Sequence, residues 1–213
     1  MKITREGILF CLCGPTGAGK TTIANYLIEN FPPCEFSVSV TSRDPRPGEV
    51  EGKSYHFVTP VDFKSKVKEG AFFEHEVVHG NFYGTLKKTV HDSLGSGIDL
   101  LLDIDIKGAL NFKQNLPNNT VVVFVTPPSI RILKERLLGR GKITEADLAK
   151  RLGTAKTEFQ TVTTLCADNK VDYFVVNDEI GETLTVLSKI LQSERNRLLR
   201  FSAEDVKQIY KEI

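Results

Sequence analysis

Gly14-Pro-Thr-Gly-Ala-Gly19-Lys20-Thr21 is the segment whose residue types and spacing most directly specify chemistry. It fits the pattern G-x-x-x-x-G-K-[ST]. An apolar stretch precedes it and a helical pattern follows, which is the context that separates a phosphate-binding loop from a plain glycine turn. Gly14, Gly17 and Gly19 let the backbone turn tightly, so that successive N–H groups converge on one anion. The helix starting at Gly19–Thr21 adds unpaired N–H groups and the positive end of its dipole. Lys20 brings a point charge to β- and γ-phosphates, and the Thr21 hydroxyl suits Mg²⁺. The expected triphosphate site is therefore Gly14, Pro15, Thr16, Gly17, Ala18, Gly19, Lys20, Thr21 and Thr22. The loop specifies the phosphate donor and leaves the acceptor open.

A second signal is Leu100-Leu-Leu-Asp103-Ile-Asp105, two carboxylates at the end of an apolar strand. Residues two apart on a strand face the same side. Ligands of open α/β sheets collect at the carboxyl ends of the strands. Asp103 is thus expected to hold Mg²⁺, directly or through water, and Asp105 to help the metal or orient a basic side chain. Two helix-capping aspartates ahead of Lys107 would leave the same trace, since Asp is a common cap. A third signal is the pair Arg43 and Arg46, three apart and flanking a proline turn. Two guanidiniums held together form a fork for a phosphate dianion; two solvated loop arginines are the plainer alternative.

These residues need a scaffold, and the pattern supplies one. Ile8–Cys13, Ile98–Ile104, Thr120–Val125 and Val171–Asn177 read as buried strands, with the continuous apolar runs of a parallel sheet covered on both faces. Helical patterns occupy Lys20–Glu29, Lys107–Asn115, Ser129–Leu138, Glu145–Cys166 and Glu182–Arg200, with a short one at Ala203–Ile213. The alternation predicts an α/β doubly wound fold. Residues 35–90, with short alternating segments such as Phe36–Val40 and Tyr55–Val58, predict a small mixed-β insertion. Residues 139–153 predict a mobile flap between helices. The expected core is then 1–34, 91–138 and 154–213.

Composition is that of an ordinary globular chain of 213 residues, 40% hydrophobic and 26% charged. With 28 basic and 27 acidic side chains the formal net charge is +1, so charge makes no case for nucleic acid or an anionic membrane as partner. No segment approaches a membrane span and the N-terminus lacks a signal-peptide pattern, so a cytoplasmic protein is expected. Cys11, Cys13, Cys34 and Cys166 fit neither a zinc site nor a disulfide framework. His56, His75, His79 and His91 show no metal-ligand spacing.

Residues Phe36 to Phe57 (FSVSVTSRDPRPGEVEGKSYHF) resemble the acceptor-binding segment of guanylate kinases. Phe73-Glu74 and Gly80-Asn-Phe-Tyr83-Gly84-Thr85 resemble it further. The phosphate loop, Asp-Ile-Asp, and Leu133-Lys-Glu-Arg136-Leu-Leu-Gly-Arg140-Gly141 follow in the order of that family, over roughly residues 8–178. The resemblance implies a P-loop NTPase-type core with a GMP-binding insertion and a helical lid, ATP and GMP as substrates, and Mg²⁺ as cofactor. It implies that Arg43, Arg46, Tyr55 and Tyr83 hold the acceptor phosphate, that Ser39 and Thr85 offer hydroxyls to guanine O6 and N7, and that Asp105 belongs to the acceptor site. Chemistry supports Glu74 as the base reader. Guanine presents N1–H and its N2 amine side by side to one carboxylate, whereas adenine would leave that carboxylate unpaired, a mismatch worth about 10⁴-fold. Lid arginines stabilise the charge spread over a moving phosphoryl group; the resemblance implies this role for Arg140 and Arg151. It places Asn177 near the adenine ring, and Arg136 on a helix facing adenine or solvent. The acceptor oxygen is already anionic, so no protein base is needed.

Lys107 stands where the family usually has Gln, Thr16 where Ser is common, and Gly141-Lys-Ile-Thr replaces a Gly-Thr-Asp-type run. Two other readings compete with a guanylate kinase. One is a related kinase acting on a ribose bisphosphate or another nucleotide, which would have no need of Glu74, Ser39 and Thr85. The other is a binding module built on the same fold, which would not need Lys20, Thr21 and the Asp pair. A monomer and a homodimer are equally compatible with the amphipathic Glu182–Arg200 helix.

Overall fold

The structure, a computed structural model, describes residues 5–78, 80–139, 141, 143–165, 168 and 170–208. Its centre is a five-stranded parallel sheet in the order β2-β7-β1-β8-β9, formed by Cys34–Phe36, Asp99–Asp103, Leu9–Cys13, Thr120–Thr126 and Tyr173–Val176. β1 is buried along its whole length. Its side chains alternate between two apolar layers, as a strand period of two requires. Ile8, Phe10 and Leu12 pack with α1 (Lys20–Asn30) and α7 (Ile180–Arg195). Leu9, Cys11 and Cys13 pack with α3 (Lys87–Gly95), α4 (Ile106–Asn115) and α6 (Glu145–Leu165). Cys11, Cys13 and Cys34 are free and buried, while Cys166 and His79 lie outside the described residues. The doubly wound α/β core expected from the strand–helix alternation is what the chain forms.

The chain leaves this sheet once. β2 ends at Phe36, Ser37 donates its N–H to Leu101 O, and His56 N–H then pairs with Ser39 O. The segment Phe36–Val40, which reads as one strand in sequence, is therefore divided between two sheets, with Ser39 at the crossing. The boundary expected at residue 35 falls inside β2. The second sheet runs β4-β3-β6-β5, from His56–Phe57, Val40–Thr41, Asn81–Leu86 and Phe72–Val78. It is mixed: β3 pairs parallel with β4 and antiparallel with β6.

Beneath this sheet lies α2 (Pro60–Lys68), absent from the sequence reading although its start signal is present. Thr59 caps it by accepting from Asp62 N–H at 3.1 Å, and Pro60 fills the first turn. Phe63 from this helix stacks on Phe72 at 4.5 Å and on Phe82 at 5.3 Å, giving the insertion an apolar centre of its own. α3 instead turns Val90 and Leu94 into the main core.

α5 (Ile130–Leu138) is capped by Ser129 and packs on α6, whose first turn is capped by the Thr144 hydroxyl accepting from Asp147 N–H. Residues 145–153 are thus the first turns of the 21-residue α6, where a helix was expected from Glu145. α7 stops at Arg195, short of the expected Arg200. A turn of 3-10 helix (Leu198–Arg200) follows and brings Arg200 inward onto Glu194. α8 (Ala203–Gln208) ends the described chain. No described helix is long and apolar enough to cross a membrane.

At the amino ends of the strands, Asp99 is fully buried and accepts from Arg5 at 2.7 and 2.8 Å, from Arg195 Nε at 2.6 Å and from Ile8 N–H at 3.0 Å. One carboxylate thus joins the start of β1, β7 and the end of α7. Removing it strands two guanidiniums in a poorly solvated site. Asp99→Ala is expected to cost about 3 kcal/mol of unfolding free energy, read from urea denaturation, with Asp99→Asn losing less.

Candidate active site

The phosphate loop leaves β1 at Gly14, whose φ is 124°. A Cβ there would lie 2.0 Å from Val125 O, so the close approach to β8 admits only glycine. Gly19, at φ 99°, opens α1, and a Cβ on it would meet Asn177 Nδ2 at 2.4 Å. Asn177 is buried and holds this turn. Its Nδ2 donates to Ala18 O at 2.7 Å, its backbone N–H to Thr126 O at 2.7 Å, and its Oδ1 accepts from Thr183 at 3.0 Å. Both ends of its amide are engaged, which directs this residue at the loop backbone. Thr16 and Thr22 are exposed.

Lys20 folds back across the loop. Its Nζ donates to Gly14 O at 2.6 Å and stands 3.5 Å from Asp103 Oδ1. Thr21 Oγ1 donates to Asp103 Oδ2 at 3.4 Å. The two acids diverge in role. Asp103 ends β7 facing Lys20 and Thr21, while Asp105 caps α4, accepting from Gly108 N–H at 2.7 Å. The capping alternative therefore holds for Asp105 alone. A hydroxyl and a partly exposed carboxylate are hard oxygen donors, and Mg²⁺ takes few protein ligands, completing its shell with water and phosphate. Thr21 and Asp103 fit that ion. Among the described residues no cluster of three or more His, Cys, Asp or Glu is arranged to hold a metal by itself.

A cavity of about 770 Å³ joins this loop to the second sheet, lined by Gly14, Lys20 and Asp103 on the loop side, by Ser39, Tyr55, Tyr83 and Glu74 on the sheet side, and by Asp105, whose charge reaches Glu74. Glu74 owes its place to a bulge in β5. The register shifts between Phe72 and Glu74, so that Phe73 turns into the main core against Phe112 at 5.3 Å while Glu74 faces the cavity opposite Thr85. Asn111 fixes the bulge by donating to Phe73 O at 2.9 Å. Thr85 is buried, and its hydroxyl donates to Glu74 Oε1 at 2.7 Å. Burial pushes the Glu74 carboxyl above its ordinary value of 4.5; the Thr85 bond opposes this and neighbouring Glu76 reinforces it.

Arg43 stands beside the same wall. Its Nε donates to Tyr83 OH at 3.3 Å, and its guanidinium lies 5.5 Å from the Tyr55 ring centre. Tyr55 and Tyr83 meet edge to face at 5.9 Å. The Arg46 side chain is exposed on the adjoining turn. On the opposite side, Arg151 and Thr154 of α6 border a smaller cavity with Thr16 of the loop. Arg136 donates to Asp178 O at 3.1 Å. Arg140 lies outside the described residues.

Two further acids belong to this neighbourhood and escaped the sequence reading. Glu49 pairs with Arg43; its signal is an acid three residues after Arg46, directly past a Pro-Gly turn. Glu158 borders both cavities, and its Oε2 is shielded without a hydrogen-bond partner among the described residues. Burial raises its pKa, against the pull of Lys20 and with the push of Asp105. Nothing in the α6 sequence distinguishes it from a surface acid.

Comparison with known proteins agrees with this geometry. The sequence model described as guanylate kinase matches residues 7–194. The guanylate kinase of Clostridium acetobutylicum is 41% identical over 200 residues, covering 93% of this chain and 91% of that protein. That of Thermotoga maritima is 41% identical over 195 residues, covering 92% and 91%. The crystal structure of guanylate kinase from Anaplasma phagocytophilum superposes with a TM-score of 0.71 at 33% identity, covering 97% of this chain and 96% of that one. With the family model matched over most of the chain and relatives about two-fifths identical nearly end to end, this chain belongs to the guanylate kinase family.

Proposed function

We propose that this protein transfers the γ-phosphoryl group of ATP to GMP, and to dGMP. The observation that carries the reading is Glu74, lining the cavity shared with the phosphate loop and held from behind by the buried Thr85 hydroxyl. Thr85 occupies one oxygen of Glu74 and fixes its rotamer. The carboxylate then accepts from guanine N1–H and the N2 amine, while Ser39, at the crossing between the sheets, offers its hydroxyl to the O6 edge. A sugar acceptor makes no use of this arrangement, and a binding module makes none of Lys20 with Thr21 and Asp103. Asp105, held as the cap of α4, lines the base end and adds a second acceptor.

The reaction is positioning and charge neutralisation. Backbone N–H groups of the loop and the first turn of α1, Gly17 and Gly19 to Thr22 among them, cradle the ATP phosphates. Lys20 leaves its resting contact with Gly14 O for the β- and γ-phosphates. Arg136 borders the adenine side of the loop, and Asn177 contributes by holding the Ala18 carbonyl. Thr21 and Asp103 would hold Mg²⁺, which would supply neutralisation of phosphate charge. Arg43, Arg46, Tyr55 and Tyr83 hold the acceptor phosphate, whose anionic oxygen attacks without a protein base. Arg140 and Arg151 bring positive charge to the equatorial oxygens from the lid, residues 139–153, which excludes water on closing.

The test is ADP release with Mg²⁺ and ATP, offering GMP, AMP, UMP, dTMP and ribose 1,5-bisphosphate in turn. Turnover with GMP and none with the others is expected; turnover confined to another acceptor would overturn the base assignment. A pH series adds a sharper expectation. Burial raises the pKa of free Glu74, and guanine donors favour its ionised form, so bound GMP lowers that pKa. GMP affinity should therefore rise as pH increases through the raised pKa of Glu74 and level off above it. Calorimetric titration across the acid range checks this: Glu74→Gln should lose this component and keep only the pH dependence of the GMP phosphate, whose second pKa is about 6.

A further inference from the structure

Glu49 sits outside the cavity, yet its two oxygens join the two arginines of the phosphate clamp. Oε1 accepts from Arg43 Nη2 at 2.8 Å, and Oε2 accepts from the backbone N–H of Arg46 at 2.7 Å. Glu49 N–H donates to Arg46 O at 3.0 Å, closing the turn between them. The Arg43 side chain is 12% exposed and that of Glu49 21%, so the pair is largely withdrawn from water.

The bonding of Arg43 is countable. A guanidinium has five N–H donors. Nε gives its single hydrogen to Tyr83 OH, Nη1 gives one to Asp44 O at 2.6 Å and Nη2 gives one to Glu49. One N–H remains on each Nη. The plane is further set by the Tyr55 and Phe57 rings, 5.5 and 5.9 Å away. Tyr83 accepts from Arg43 and so keeps its own O–H to donate. An arginine held on three sides has its remaining donors directed before the ligand arrives, which spares the rotamer entropy of a long side chain. The Glu49 contact also holds the Arg43 charge firmly in place, raising its pKa, while the Glu49 carboxyl is lowered by Arg43 and by the Arg46 N–H.

We infer that Glu49 is a positioning residue for the acceptor phosphate: it holds the Arg43 fork in its binding orientation and ties that orientation to the turn carrying Arg46. The inference rests on the reading of Arg43 and Arg46 as a phosphate clamp. A different role is physically open to the same carboxylate, namely a stand-in anion that the incoming phosphate must displace. The two roles predict opposite signs.

The test is calorimetric titration of GMP into the unaltered protein, Glu49→Ala, Glu49→Gln, Arg43→Ala and the double variant Arg43→Ala/Glu49→Ala. Thermal melting controls for folding, and Glu49→Gln carries the same test if the alanine variant does not fold. Glu49→Ala should weaken GMP binding about tenfold. Glu49→Gln should recover part of that loss, because one amide oxygen still accepts. In the Arg43→Ala background the Glu49 substitution should change nothing more, since its effect passes through Arg43. Unchanged affinity in Glu49→Ala, equal losses in both backgrounds, or tighter binding in Glu49→Ala would each overturn the inference. Failure of the underlying clamp reading has a separate signature: Arg43→Ala would then bind GMP as well as the unaltered protein.

Discussion

The close approach of Gly14 to the Val125 carbonyl is the contact on which the rest of the site depends. β1 is apolar on both faces and lies in the middle of a parallel sheet, so its chain has to leave over the carboxyl edge, between β7 and β8. With no Cβ at Gly14 it turns directly over β8, and α1 begins with its free N–H groups aimed back at the sheet edge. The same geometry brings Lys20 and Thr21 to Asp103, because β7 is the strand beside β1. Asn177, arriving from the end of β9, locks the turn from the other side. The phosphate-binding surface is thus a product of strand order and not of the loop alone.

Charge distribution across the cavity follows a division of labour. The end proposed to hold the base is acidic and partly desolvated, with Glu74 held by Thr85 and Asp105 by the backbone of α4. In the proposed reading, the adjacent N1–H and N2 amine of guanine suit that end, and adenine, with an acceptor at N1 and no N2 amine, leaves a half-buried carboxylate unpaired. The phosphate end is cationic and preorganised, from Lys20 on one side and Arg43 on the other. Acidic partners hold both cations in place, Asp103 beside Lys20 and Glu49 beside Arg43. The protein holds its charges in ion pairs that also fix their geometry.

Much of this could be read from the sequence, for physical reasons. The phosphate loop was legible because one local motif contains its glycines, its lysine and its hydroxyl. The core strands were legible because a parallel sheet buried on both faces writes continuous apolar runs. α2 was not, since a short helix with one fully buried apolar residue, Phe63, leaves little periodicity; only Thr59-Pro60 announced it. The split of Phe36–Val40 between two sheets was invisible because the change of partner leaves no mark in residue type. The β5 bulge was hidden too: Phe73-Glu74 reads as ordinary alternation, whereas the structure uses the extra residue to bury one side chain and expose the other to the cavity. Thr85 was singled out for a hydroxyl offered to the base, while its hydrogen bond to Glu74 across the β5–β6 pair leaves no mark in residue spacing. Glu49 and Glu158 were missed because their partners are distant or lie around a turn.

The central claim is that the half-buried Glu74 carboxylate, seated by a bulge and a threonine, selects the purine. The most direct measurement is the ratio of kcat/KM for GMP to that for AMP, in the unaltered protein and in Glu74→Gln. The account predicts a ratio falling by about a hundredfold or more in the variant, with no loss of thermal stability at neutral pH, because the substitution removes a carboxylate whose ionised form is disfavoured by burial. An unchanged ratio in a folded variant would contradict it and move the selection of guanine to other residues of the cavity.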